Sequence, residues 1–153
     1  MKGQTAIEYL MTYGWAILII LIVAGVLAYY GIFAPAGFLA PTARGFGQVQ
    51  VLNPWSVAGA AGTITMNLEN RVGGTITITD ITYKDAAGTT YSGGTCTGMT
   101  NAINSGEKAV VSCAPATGPG AAVGSSYTLT VTISYTYQTG TFTSTGTISG
   151  TYS

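Results

Sequence analysis

Two hydrophobic patterns divide this chain. From Gly14 to Phe33 it reads GWAILIILIVAGVLAYYGIF, and no charged residue occurs between Glu8 and Arg44. Apolar side chains fall on every side of the helical wheel. The segment therefore predicts a helix covered all round, by lipid or by other helices, rather than one with a single buried stripe. A helix from Leu10 to Phe33 runs about 36 Å, enough to cross a hydrocarbon layer of about 30 Å. Ala24, Ala28 and Gly31 fall near one face, with Gly14 and Gly25 at a looser spacing. Small residues let helix backbones approach closely, although glycine is also common in membrane helices generally. The helix is predicted to end near Phe33. A connector over 34–46 follows, where Pro35, Gly37, Pro41 and Gly45 remove or loosen helical hydrogen bonds.

After Gly47 the period changes from 3.6 to two. Gln48-Val49-Gln50-Val51, Ile64-Thr65-Met66-Asn67-Leu68 and Thr75-Ile76-Thr77-Ile78 alternate. Ile81 and Tyr83 resume the last of these with shifted parity, which predicts a bulge near Asp80. Glu107 to Cys113 reads as a short strand. Tyr127, Leu129, Val131, Ile133, Tyr135 and Tyr137 give the clearest alternation. A final strand runs from Phe142 to Tyr152 with Ile148 inward, and Gln138-Thr139-Gly140 reads as the hairpin turn before it. About seven short strands with turn signals between them predict an antiparallel β-sandwich of the immunoglobulin-like kind. The fold class is therefore α+β: a long hydrophobic N-terminal helix, then an all-β head over 47–153. Gly93-Gly94 and Gly118-Pro119-Gly120 read as surface loops.

Composition narrows the chemistry. Charged residues make up 7% of the 153-residue chain, against about a quarter in ordinary domains. Basic and acidic residues balance at five each, so no basic face for nucleic acid is expected. The sequence has no histidine, which removes the commonest general base, the usual metal ligand and every imidazole-dependent triad. Asp80 and Asp85 read as turn or strand-end residues, and Ser112-Cys113 has no histidine to activate it. No catalytic residue, cofactor or metal is expected. Threonine is a good strand former and needs no further role on the strand faces. A sharper reading is O-linked glycosylation of an exposed surface.

Cys96 and Cys113 allow one intramolecular pairing. In an extracellular domain the expectation is a disulfide closing a loop of about 17 residues, worth roughly 3 kcal/mol. The bland alternative is a pair of small buried thiols.

The N-terminal residues Lys2-Gly3-Gln4-Thr5-Ala6-Ile7-Glu8-Tyr9-Leu10, continued by Met11-Thr12-Tyr13-Gly14-Trp15-Ala16-Ile17, resemble the class III signal sequence of archaeal type IV pilin-like proteins. The resemblance covers roughly the first 33 residues. It implies a leader, Met1–Gly3, removed by a prepilin peptidase between Gly3 and Gln4. Glu8 then becomes the fifth residue of the mature chain, the position that carries a glutamate in that superfamily. Gln4 departs from the Phe or Met usual in bacterial pilins and is the archaeal-like alternative. The resemblance further implies an all-β head, assembly by dedicated machinery into a helical homopolymer, residence in the cytoplasmic membrane beforehand, and an extracellular filament as the final location.

Physical chemistry gives Glu8 a role beside the resemblance. A carboxylate at the start of a membrane helix is costly below the surface without a partner. Near the first turn it gains from the helix dipole. In a packed bundle it needs a cation, and a freshly exposed amine at Gln4 supplies one. Such a pair favours one axial register over others. The bland alternative is an interfacial glutamate that caps the helix. Thr12, one turn on, is placed to donate a hydroxyl hydrogen bond to it, and Tyr9 and Tyr13 read as interfacial anchors.

The sequence therefore leads to a structural subunit of an archaeal type IV pilus-like filament, serving adhesion. The rivals are an archaellin of a swimming filament and a monomeric membrane-anchored binding domain. An ordinary signal peptide cut after Ala36 fits less well, because its apolar region should span only about 7–15 residues.

Overall fold

The computed structural model describes residues 4–30, 40–99 and 101–153. The chain divides into two units, one holding the helix α1 and the other holding all ten strands among the described residues.

α1 spans Gln4–Tyr29, and the Tyr30 N–H still donates to the Val26 carbonyl at 3.0 Å. The expected end near Phe33 and the first part of the connector lie outside the described residues. Within the rest of that connector the chain is not a linker throughout. Thr42–Arg44 forms a strand, β1. Its alternation was hidden because Pro41 and Gly45, which read as breakers, flank only three residues.

The β unit is an antiparallel sandwich of two sheets. Its strands are β1, β2 (Val49–Val57), β3 (Ile64–Asn70), β4 (Ile76–Lys84), β5 (Thr90–Tyr91), β6 (Thr95–Thr97), β7 (Ala102–Ile103), β8 (Lys108–Ala114), β9 (Ser126–Tyr137) and β10 (Gly140–Thr151). One sheet runs β1-β10-β9-β4-β5, with β7 also on β4, and the other runs β2-β3-β8-β6. Alternate residues of both sheets supply one core. It includes Val49, Ile64, Met66, Leu68, Ile76, Val111, Leu129, Ile133 and Ile148. Ile133 is completely buried, as the parity of β9 predicts.

The expected bulge is present: the β4–β9 register shifts between Ile78 and Asp80, which lets Ile81 and Tyr83 return to the core. The hairpin is also as predicted. Tyr137 pairs with Gly140, and Gln138 takes a positive φ of 54°. β2 continues past Pro54 to Val57, further than alternation alone indicates. Proline is tolerated because β2 is an edge strand and its register with β3 breaks between Leu52 and Ser56.

β10 presents Ser144, Gly146, Ile148 and Gly150 inward. Aromatic rings from other strands and loops fill the space the glycines leave. A Cβ on Gly146 would meet the Phe46 ring at 2.5 Å, and one on Gly150 would meet the Tyr127 hydroxyl at 2.8 Å. Ser144 is a buried polar link between the sheets. Its hydroxyl donates to the Val49 carbonyl at 2.8 Å and accepts from the Gly47 N–H at 3.0 Å.

Candidate functional site

The residues singled out by sequence fall in two places. Gly3 lies outside the described residues, and Gln4 opens α1. Glu8 is the fifth residue of α1, so it sits one turn inside rather than in the first turn. The helix-dipole benefit falls off within the first turn, so it acts only weakly on a carboxylate at this position. Thr12 does not reach that carboxylate. Its hydroxyl donates to the Glu8 backbone carbonyl at 2.9 Å, the i−4 bond a threonine commonly makes within a helix.

Over Ala6–Tyr29, α1 is long and apolar enough to cross a membrane, and none of this span is buried. Leu10 is 76% exposed and Trp15 is 70% exposed. A helix of this composition does not persist bare in water, so lipid or other protein must cover it. A shallow notch of about 210 Å³ opens over Gly14, walled by Leu10, Met11, Trp15 and Leu18. Nothing lies within 4 Å of a Cβ built at Gly14 or Gly25, so neither glycine is required by packing within the described chain. The Tyr9 and Tyr13 rings lie together, centroids 4.2 Å apart, on the Glu8 end of the helix.

Cys96 and Cys113 form a disulfide, with Cα atoms 4.1 Å apart. The two residues are direct register partners on β6 and β8. The bridge therefore lies within one sheet, unlike the inter-sheet bridge of antibody domains. It fastens the three-residue β6 to the sheet edge.

Several polar groups of the β unit hold its turns and loops in place. Asp85 accepts from the Thr89 N–H at 2.8 Å and from the Tyr91 hydroxyl at 2.9 Å. The Thr89 backbone bond is the main cause holding its carboxyl below the usual range, and the residue closes the β4–β5 turn. Tyr83 donates to the Gly62 carbonyl, and burial pushes its hydroxyl pKa up. Tyr127 accepts from the Trp55 indole N–H at 3.0 Å. Burial raises its pKa too, against the opposing effect of that bond. Asn70, 1% exposed, donates to the Gly74 and Ile103 carbonyls and accepts from the Val72 N–H. Sequence reasoning passed over it, although an asparagine just before Arg71-Val72-Gly73-Gly74 is a turn signal. Among the described residues, no three His, Cys, Asp or Glu residues converge as a metal site. No protein-family model and no curated protein matches the chain.

Proposed function

We propose that this chain is a structural subunit of an extracellular filament of the archaeal type IV pilin-like kind. It polymerises through α1 and displays the β-sandwich outward for adhesion. One observation carries the reading: an apolar helix with none of its span buried, carrying a single carboxylate at its fifth residue. A plain anchor accounts for the apolar length but has no need of a charge one turn inside. Assembly needs both.

In this reading α1 rests in the membrane until a prepilin peptidase cuts between Gly3 and Gln4. The new amine at Gln4 then pairs with Glu8 of a neighbouring subunit, as assembly machinery packs the helices into a core. Because lipid is already apolar, the gain on leaving it comes from close packing and the ion pair rather than from apolar burial. Identical contacts repeated along an open axis give a helical homopolymer.

The test is mass analysis of the N-terminus of fibres sheared from cells, together with Glu8→Ala. A start at Gln4, and loss or disordering of fibres in the variant with the sandwich still folded, supports the reading. Single molecules retained in the membrane with an intact N-terminus would establish the anchored binding domain instead. Fibres of normal order from Glu8→Ala would remove the ion pair from the mechanism. Loss of swimming on deletion would assign the filament as an archaellum.

A further inference from the structure

The outer face of the six-stranded sheet is a lattice of hydroxyls. Every second residue of β9 from Ser126 to Thr136, and of β10 from Thr141 to Thr151, is Ser or Thr. The register aligns them in cross-strand pairs, with Thr132 and Thr145 hydroxyls 3.2 Å apart and those of Thr128 and Ser149 3.3 Å apart. Each such pair uses one proton and leaves the other donor and the spare lone pairs for a ligand. The groups are also held by a rigid sheet, so little ordering is needed on binding.

Charge on this face is sparse. Register pairs run Arg44↔Thr147, Thr147↔Thr130 and Thr130↔Lys84. One row therefore runs from Arg44 across β10 and β9 to Lys84 and on to Thr90 of β5, with its two cations about 14 Å apart at the usual strand spacing. Both cations are exposed, and among the described residues the ion pair found is between Arg71 and Glu69, at 3.2 Å. Two carboxylates lie nearby: Asp85, next to Lys84 in the chain and beside Ser126 and Thr128, already accepts from the Thr89 N–H and the Tyr91 hydroxyl, and Asp80 pairs in register with Ser134. That places Asp80 two rows away, about 13 Å along the strand and beyond the screening length of about 8 Å in physiological salt. At the Arg44 end the face is concave: a groove of about 400 Å³ is lined by Arg44, Thr42, Thr128, Thr147 and Ser149.

The geometry points to this face as a binding site for an anionic polysaccharide, its acid groups held by Arg44 and Lys84 and its hydroxyls by the threonine rows. Aromatic stacking platforms, which hold neutral sugars by their apolar faces, are missing from the outward positions of β9 and β10. Charge-assisted bonds to carboxylate or sulfate take that role. The inference does not rest on the filament reading, since every residue involved belongs to the β unit.

The experiment measures binding of the full chain in nonionic detergent to immobilised polygalacturonate, dextran sulfate and neutral dextran, with variant folding checked by circular dichroism. Binding to either or both anionic polymers and none to dextran is expected, and the two arms separate carboxylate from sulfate. Arg44→Gln should weaken binding about tenfold, the loss of one charge-assisted contact. Lys84→Gln should weaken it several-fold, and Thr130→Val with Thr147→Val should weaken it without altering its salt dependence. Lys108→Gln, on the other sheet, should leave it unchanged. Absence of binding by the parent chain, equal binding to dextran, or a loss in Lys108→Gln as large as that in Arg44→Gln would each overturn the assignment.

Discussion

Gly146→Ala tests how the sandwich is closed at its β1 edge. Gly146 faces inward on β10 opposite Val131. A methyl group there would lie 2.5 Å from the Phe46 ring and 2.6 Å from the Arg44 carbonyl oxygen, closer than van der Waals contact allows. The ring can rotate away, but the carbonyl is backbone of β1, which is only three residues long. Relief therefore requires β1 to shift against β10. Overpacking of this kind costs about 1–3 kcal/mol. The stiffer unfolded chain returns part of that, since the φ of Gly146 is not among the positive values. We expect a net loss of about 2 kcal/mol, taking the upper part of the overpacking range because a strand must move. For a domain of roughly 115 residues the unfolding entropy is about 0.24 kcal/mol/K, so Tm should fall by roughly 8 °C. Thermal melting of the full chain in detergent, followed by near-ultraviolet circular dichroism, reads this out. Gly73→Ala is the control: nothing lies within 4 Å of its Cβ position, so it should be neutral or slightly stabilising. Placing Gly146→Ala on a Phe46→Ala background should reduce its cost, because half of the clash is gone. A Gly146→Ala melt within about 2 °C of the parent would refute the claim that ring and strand are seated on this glycine.

Two further outcomes are expected. Replacing Cys96 and Cys113 by serine and alanine should lower stability by about 3 kcal/mol in urea unfolding, from the 17-residue separation the bridge closes, and should free β6 first in hydrogen exchange. Stability should be flat between about pH 5 and 9, with no histidine and no free cysteine to titrate. Asp85 has a folded-state pKa below its unfolded value, so its contribution is complete above the ordinary carboxyl range near 4 and is lost as pH falls through and below it. Tyr83 and Tyr127 have raised values, so their contribution is complete below about pH 10 and is lost as pH rises beyond. Asp85→Asn should flatten the acid limb alone; a stability slope centred near pH 6.5 would contradict this account.

β9 was legible because its inward positions are uniformly large and its outward ones uniformly Thr or Ser. The bulge at Asp80 was legible for the same reason, since a single parity change on a clean alternation has one explanation. β10 was harder. Its inward Ser144, Gly146 and Gly150 carry no apolar signal, because Phe46 and Tyr127 fill the space from elsewhere. β1, β5, β6 and β7 are too short to show a period. In α1, composition disclosed the exposed apolar surface, but not that the Thr12 hydroxyl would go to a backbone carbonyl. The row joining Arg44 to Lys84 was beyond sequence reasoning. It depends on β1, β10, β9 and β4 being neighbours in that order, and those strands are scattered along the chain.

The division of the chain into two units bears on the proposed assembly. The β unit completes its own core from residues of both sheets, and its disulfide, its Ser144 link and its Asn70 knot all lie within it. α1 has no buried residue in its apolar span. In the filament reading proposed above, a stem that exchanges lipid for protein neighbours has to be removable from one environment without unfolding what it carries. A sandwich whose core drew on the stem would lose apolar burial, at about 25 cal/mol per Å², each time the stem moved. On that reading, a head whose folding energy is independent of the stem gains stability, through a disulfide and close ring-on-glycine contacts, without making the stem harder to transfer. Changes that weaken the core, such as Gly146→Ala, should therefore lower Tm without altering membrane insertion of α1, and Glu8→Ala should do the reverse: disturb assembly at unchanged Tm.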